Sequence, residues 1–170
     1  AGSIPNTLPE DIYEKILASL ESKGIRIVVD ATKDLLLNVL KYHPFLIKPN
    51  NHELGEMFGT VCKTDEDIVH YAKKLQEMGA VNVLISMAGD GAILITEDGQ
   101  NIKMGTPKGK VVNSVGAGDS MVAGFITGYI RGGNYEEALK SGTAAGSATA
   151  FSEGLASLEM YEKMLKQISE

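Results

Sequence analysis

Val111-Val112-Asn113-Ser114-Val115-Gly116-Ala117-Gly118-Asp119-Ser120-Met121-Val122-Ala123-Gly124-Phe125-Ile126 is the stretch on which the reading of this chain turns. A β-branched pair runs into a loop of small residues. One acid follows, and then a helical pattern of small and apolar residues. Asp119 and Ser120 stand where a helix begins. The first backbone N–H groups of a helix have no intrahelical partner, and the helix dipole adds partial positive charge there. Such a terminus is an anion site. Gly116 and Gly118 let backbone approach a phosphate with no Cβ in the way. A carboxylate beside an anion cradle is poorly suited to binding alone. It suits a group that takes a proton from a hydroxyl while the cradle holds a transferring phosphoryl group. The plainer alternative is a strand-to-helix turn in which Asp119 is only a cap.

Composition narrows the classes. The chain has 170 residues, of which 44% are hydrophobic and 22% charged, ordinary values for a soluble globular protein with one core. A formal net charge of −6 disfavours a general nucleic-acid or anionic-membrane binder. Cys62 is the only cysteine, so no intrachain disulfide forms. A reducing, cytoplasmic compartment is expected. No apolar run approaches the ~20 residues of a membrane span, and no signal peptide is visible. The opening Ala1-Gly2-Ser3-Ile4-Pro5 has no initiator Met and reads as the middle of something longer.

Periodicity predicts alternating helices and strands. A helix opens at Leu8-Pro9-Glu10-Asp11 and presents Ile12, Ile16, Leu17 and Leu20. Strands are expected over 25–30 and 45–47, with a helix between them around Leu35–Leu40 and a short helix over 53–57. A helix over 65–78 ends at Gly79. Strands over 81–86, 92–96 and 101–104 follow, joined by the turns Ala88-Gly89-Asp90-Gly91 and Glu97-Asp98-Gly99-Gln100. Helices over 120–131, 135–151 and 158–168 complete the chain. This order argues for one α/β domain with a mainly parallel sheet and antiparallel edge strands where the turns are short.

Three further stretches carry chemistry-bearing residues. Lys48-Pro49-Asn50-Asn51-His52-Glu53 closes a short strand, where ligands gather in open α/β sheets. Asn50 and Glu53 share a face if a helical turn follows. An amide and a carboxylate there suit water-mediated Mg²⁺, and Lys48 can meet phosphate. The alternative is a strand-to-helix junction capped by Asn. Ser86-Met87-Ala88-Gly89-Asp90-Gly91 is by itself a hairpin turn. Thr143-Ala144-Ala145-Gly146-Ser147-Ala148 is by itself a small-residue helix face for close packing against the sheet. His43, His52 and His70 lack metal-ligand spacing, and neither a dinucleotide fingerprint nor a Walker A sequence is present.

Taken together, Asn113-Ser114-Val115-Gly116-Ala117-Gly118-Asp119 with Ala123-Gly124, and Asn50-x-x-Glu53 after Lys48-Pro49, resemble the ribokinase/PfkB family of sugar kinases. Gly2-Ser3-Ile4-Pro5, Asp30-Ala31-Thr32-Lys33-Asp34-Leu35 and the Asn113 form of the signature look most like its bacterial branch acting on D-fructose 1-phosphate. The resemblance covers essentially the whole chain but only the C-terminal half or so of that family. It implies a ribokinase-like α/β fold whose N-terminal part and lid are missing from 1–170. The implied activity is ATP-dependent phosphorylation of D-fructose 1-phosphate at its 6-hydroxyl, with tagatose 6-phosphate or fructose 6-phosphate as alternative acceptors. Asp119 is then the base, and the N–H groups of Gly116, Ala117 and Gly118 form the anion hole.

The resemblance also implies nucleotide contacts from Lys48, Asn50, Ser86, Met87, Ala88, Gly89, Asp90, Gly91, Gly118, Thr143 and Gly146. It implies Mg²⁺ held through water by Glu53, and sugar contacts from Asp119 and Ser3. In the common form of the Ser86 turn a Gly stands two residues after the Ser, where this chain has Ala88. Some members bind a monovalent cation at the equivalent of Phe151-Ser152-Glu153-Gly154. They carry Asp and Thr where this chain has Asn113 and Val115, which counts against a K⁺ requirement. Expected partners are ATP and a phosphorylated ketohexose, with neither nucleic acid nor membrane, and a homodimer formed through the lid in a full-length protein. With the sugar-selecting part absent, 1–170 alone is expected to have little activity and to expose strand edges and apolar surface. A nucleotide-binding module without catalysis and a purely structural α/β domain are the competing readings.

Overall fold

The computed structural model describes residues 4–5, 7–31 and 33–169. Among them are seven α-helices and five strands. In order these are α1 (Ile12–Leu20), β1 (Val28–Val29), α2 (Lys33–Val39), β2 (Leu46–Ile47), α3 (Asn51–Met57) and α4 (Asp65–Glu77). There follow β3 (Asn82–Ser86), β4 (Ala92–Ile95), β5 (Asn101–Met104), α5 (Ala117–Gly132), α6 (Tyr135–Ala150) and α7 (Leu158–Ser169).

The strands form one sheet in the order β1-β2-β3-β4-β5. β1 and β2 pair in parallel, Val28 with Leu46 and Val29 with Ile47. β2 and β3 do the same, Leu46 with Asn82 and Ile47 with Val83. Residues 87–91 and 96–100 are too few for a parallel crossover, so β4 and β5 turn back as antiparallel strands. The sheet is therefore mixed, as the short turns predict. β1 is shorter than the apolar run 25–30 suggests. Only Val28 and Val29 find ladder partners, and Ile25 at the start of the run is exposed.

Tertiary contacts divide the chain into two compact units, Ala1–Ile85 with Leu94–Asn101, and Ser86–Ile93 with Ile102–Glu170. In the first, Leu36, Leu46, Ile47, Leu54, Leu75 and Val83 are fully buried. A buried Asn82 ties loop ends together: its Nδ2 donates to the Phe45 carbonyl at 2.9 Å, and its Oδ1 accepts from the Glu97 N–H at 2.9 Å. α4 starts on a reciprocal capping box between Thr64 and Asp67.

In the second unit, α5 and α6 lie close because small residues line their contact. A Cβ added at Gly124 would sit 2.6 Å from the Ser141 carbonyl oxygen, and one at Gly128 2.6 Å from that of Glu137. The small-residue face of α6 thus serves helix–helix packing. On its other side Ala144 and Ala148 join Met164 of α7 in a buried cluster. Among the described residues no helix is long and apolar enough to cross a membrane.

Candidate active site

The start of α5 carries the residues with which the sequence reading began. Gly116 caps the helix in the left-handed conformation, φ 79° and ψ −2°, and supplies no side-chain acceptor. The helix therefore begins at Ala117, earlier than the 120 start that Asp119 and Ser120 suggest, and Asp119 lies within the first turn. The Ser120 N–H closes that turn onto the Gly116 carbonyl at 2.9 Å, and the Ala117 N–H donates to the Ser114 carbonyl at 3.2 Å. The N–H groups of Gly116, Gly118 and Asp119 have no acceptor among the described residues. An uncapped helix end of this kind presents donors and dipole to an anion. The exposed Asp119 carboxylate likewise has no hydrogen-bond or ion-pair partner among the described residues.

This terminus is braced from α6 and the loop after it. The buried Thr149 hydroxyl donates to Ser120 Oγ at 2.8 Å and accepts from the Ala156 N–H at 3.3 Å. Gly146 lies under the first turn, since a Cβ there would come 3.1 Å from the Ala117 carbonyl oxygen. Val115 and Leu155, each 78% exposed, flank Gly116. On α6 Thr143 is 1% exposed, and its buried hydroxyl has no hydrogen-bond partner among the described residues. A hydroxyl so placed costs about 1–3 kcal/mol until something meets it.

Ser86–Gly91 belongs to the same unit. A single 3-10 turn spans Ala88–Asp90, and the Met87 N–H donates to the Gly91 carbonyl at 2.8 Å. Gly91 is obligatory here, because a Cβ would stand 2.0 Å from the Met104 carbonyl oxygen. Ala88 takes φ 48°, a left-handed value that favours glycine. The Thr106 hydroxyl steadies the turn by donating to the carbonyls of Ala88 and Gly89, at 3.1 and 3.0 Å. Met87 is buried, whereas Ala88, Gly89 and Asp90 are exposed.

Lys48, Asn50 and Glu53 belong to the first unit. Asn50 caps α3, accepting from the N–H groups of His52 and Glu53 at 2.9 and 2.8 Å. Glu53 Oε2 accepts from the Asn50 N–H at 2.8 Å, which completes a capping box and leaves Oε1 without a partner among the described residues. The cap and the expected metal role are compatible, since the cap engages one carboxylate oxygen only. Among the described residues no three His, Cys, Asp or Glu side chains cluster as a metal cage. One carboxylate plus waters and phosphate oxygens is a common Mg²⁺ arrangement, so the residues present fit that ion.

Lys48 is buried and pairs with Asp30 Oδ1 at 3.3 Å. Sequence reading missed Asp30 as its partner. The parallel register Val29↔Ile47 sets the next residue of each strand side by side, and register is not written in either segment alone. Thr149 and Thr106 were missed as well, for want of any motif around them. Ser3 lies outside the described residues.

Comparison with known proteins fixes the class. A family model described as pfkB family carbohydrate kinase matches residues 1–160, and the chain belongs to that family. Among curated relatives, the 1-phosphofructokinase of Bacillus subtilis is 50% identical across 99% of this chain and 55% of its own length. The D-tagatose-1-phosphate kinase of Bacillus licheniformis is 38% identical across 99% of this chain and 55% of its own length. Escherichia coli phosphofructokinase-2, solved with substrates and products, superposes with a TM-score of 0.92 at 27% identity, covering 100% of this chain and 56% of that one. Arabidopsis thaliana ribokinase, solved with ribose and ATP, gives 0.82 at 24% identity over 95% of this chain and 54% of that one. The fold is ribokinase-like, and the chain spans about half the length of the curated relatives it matches.

Proposed function

We propose that this chain carries the nucleotide side and the catalytic base of an ATP-dependent sugar-phosphate kinase. Its full-length form transfers the γ-phosphoryl group of ATP to the 6-hydroxyl of D-fructose 1-phosphate. One observation carries the reading. The uncapped start of α5 offers N–H groups at Gly116, Gly118 and Asp119 beside an unpartnered Asp119 carboxylate. In the proposed step the 6-hydroxyl oxygen attacks the γ-phosphorus and the bond to the ADP oxygen breaks. Asp119 takes the hydroxyl proton. The N–H groups hold the charge that gathers on the transferring oxygens, which is catalysis by positioning and electrostatics. Because the Ala117 N–H is engaged with Ser114, the anion hole is assigned to Gly116, Gly118 and Asp119, with Ala117 re-aiming its N–H only if the loop shifts.

Thr143 and Gly146 on α6 and the Ser86–Gly91 turn are proposed nucleotide contacts. The buried unpartnered Thr143 hydroxyl supports the first of these. Lys48 and Asn50 are proposed phosphate contacts, and Glu53 Oε1 the water-mediated Mg²⁺ contact. Mg²⁺, when bound with ATP, neutralises phosphate charge. Ser3 is a proposed sugar contact. The isolated chain is expected to bind MgATP with little turnover.

The names of the relatives leave two ketohexose 1-phosphates as leading acceptors. The full-length protein is to be given MgATP with D-fructose 1-phosphate, D-tagatose 1-phosphate, D-tagatose 6-phosphate or D-fructose 6-phosphate, and ADP release followed. The highest kcat/KM is expected with D-fructose 1-phosphate. A higher value with another acceptor overturns the substrate, and no ADP release with any of them overturns the kinase reading.

A further inference from the structure

Within the unit that holds α5 and α6, the segment leading to Gly116 is laced to the end of α6. The N–H groups of Val112 and Asn113 both donate to the Ala150 carbonyl, at 2.8 and 3.2 Å. The Asn113 carboxamide makes two further bonds. Its Nδ2 donates to the Glu153 carbonyl at 3.0 Å, and its Oδ1 accepts from the Val115 N–H at 3.0 Å. A carbonyl needs a donor and an N–H needs an acceptor, so only one orientation of the amide satisfies both. No carboxylate does so, because an ionised Asp is acceptor-only. The second of these bonds fixes the peptide immediately ahead of the left-handed Gly116, whose geometry aims the first N–H groups of α5.

We propose that Asn113 is a positioning residue for the anion cradle, and that its own N–H makes the loop independent of a bound cation. The proposal rests on the reading of Gly116–Asp119 as a phosphoryl site. Its physical content is the contact between residue 113 and the Glu153 carbonyl. With Asp at 113, two oxygens with no proton between them face each other across that contact. A carboxylate and a backbone carbonyl together are hard oxygen ligands, which a cation bridges. Asn113→Asp therefore exchanges a hydrogen bond for a cation requirement. Asn113→Ala removes the contact and builds no cation ligand.

The test compares full-length wild type, Asn113→Asp and Asn113→Ala in tetramethylammonium chloride and in potassium chloride at equal ionic strength. Melting temperature without nucleotide and kcat are read in both salts. Wild type is expected to give the same values in each. Asn113→Asp is expected to lose about tenfold in kcat without potassium, the scale of one lost hydrogen bond. Potassium should restore most of that loss and raise the variant's melting temperature. Asn113→Ala should lose a similar factor in both salts. A wild type that itself needs potassium, an Asn113→Asp variant equal to wild type in both salts, or one that potassium leaves unchanged overturns the proposal. If wild type shows no sugar-phosphate-dependent ADP release, the kinase reading fails. The potassium response of the Asn113→Asp melting temperature then still decides this inference.

Discussion

Helix α5 has a left-handed glycine at each end, and the pair separates the cost of backbone strain from the cost of a damaged anion site. Gly116 caps the start at φ 79° and ψ −2°, and Gly133 caps the end at φ 70° and ψ 10°. An L-residue in that conformation costs about 1–2 kcal/mol. At Gly133 nothing lies within 4 Å of an added Cβ. At Gly116 the nearest atom is Leu155 Cδ2 at 3.2 Å, the tip of an exposed side chain that can move aside. Gly116→Ala and Gly133→Ala should therefore lose similar stability, about 1–2 kcal/mol, a shift of a few degrees in Tm. Their activities should part. In Gly116→Ala the strained backbone relaxes by turning the peptides that aim the Gly118 and Asp119 N–H groups, and loss of one oxyanion-type donor costs about 10²–10³ in rate. Urea unfolding and sugar-phosphate-dependent ADP release on the full-length variants give both numbers. Equal activity in the two variants, after matching for folded fraction, refutes the assignment of that terminus to the transferring phosphoryl group.

Four other substitutions have outcomes set by their side-chain surroundings. Lys48→Ala leaves Asp30 without its cation in a half-buried site, so it should cost about 2–3 kcal/mol in urea unfolding. That is less than the ~3–5 kcal/mol of a fully buried pair, because the Asp30 side chain is 21% exposed. Lys15→Ala, which breaks a pair whose side chains are 60% and 50% exposed, should cost under about 1 kcal/mol. Thr143→Val removes a buried hydroxyl with no partner, so the nucleotide-free protein should gain about 1 kcal/mol. If that hydroxyl meets the nucleotide, MgATP affinity measured by calorimetry should fall in the same variant. The Lys63 and Thr64 N–H groups hold the Asp67 carboxyl below the usual carboxylate range. Its folded pKa lies under its unfolded one, so the stability it lends is full above the unfolded value and is lost as pH falls through the folded one. Asp67→Asn should lower Tm at neutral pH and flatten the acid side of the Tm–pH curve.

Periodicity was a good guide where burial is one-sided. The 101–104 strand appears with the expected bounds, and α4 starts at Asp65 as its apolar face predicts, because those signals are local. It was a poorer guide at β1, where an apolar run is longer than its pairing partner, and partners are set by tertiary register. The start of α5 was misplaced for a different reason. Asp119 and Ser120 are good cap residues, yet Gly116 reaches the left-handed conformation and starts the helix earlier with no side-chain cap. That departure leaves donors open where the chemistry needs them. The small residues of α6 signalled close packing against the sheet; the contacts at Gly142 and Gly146 are instead with α5, a partner that only the tertiary fold supplies. The Lys48–Asp30 pair and the Thr149–Ser120 bridge join residues far apart in sequence, and no motif announces either.

The most direct test of the central claim is the rate at which the full-length Asp119→Asn variant converts D-fructose 1-phosphate and MgATP to fructose 1,6-bisphosphate. An amide keeps the size and the helix start but cannot take the hydroxyl proton. Turnover is predicted to fall by about 10²–10⁴, the scale of general base catalysis, with MgATP affinity within a few-fold of wild type. Turnover near the wild-type rate would contradict the assignment of Asp119 as the base.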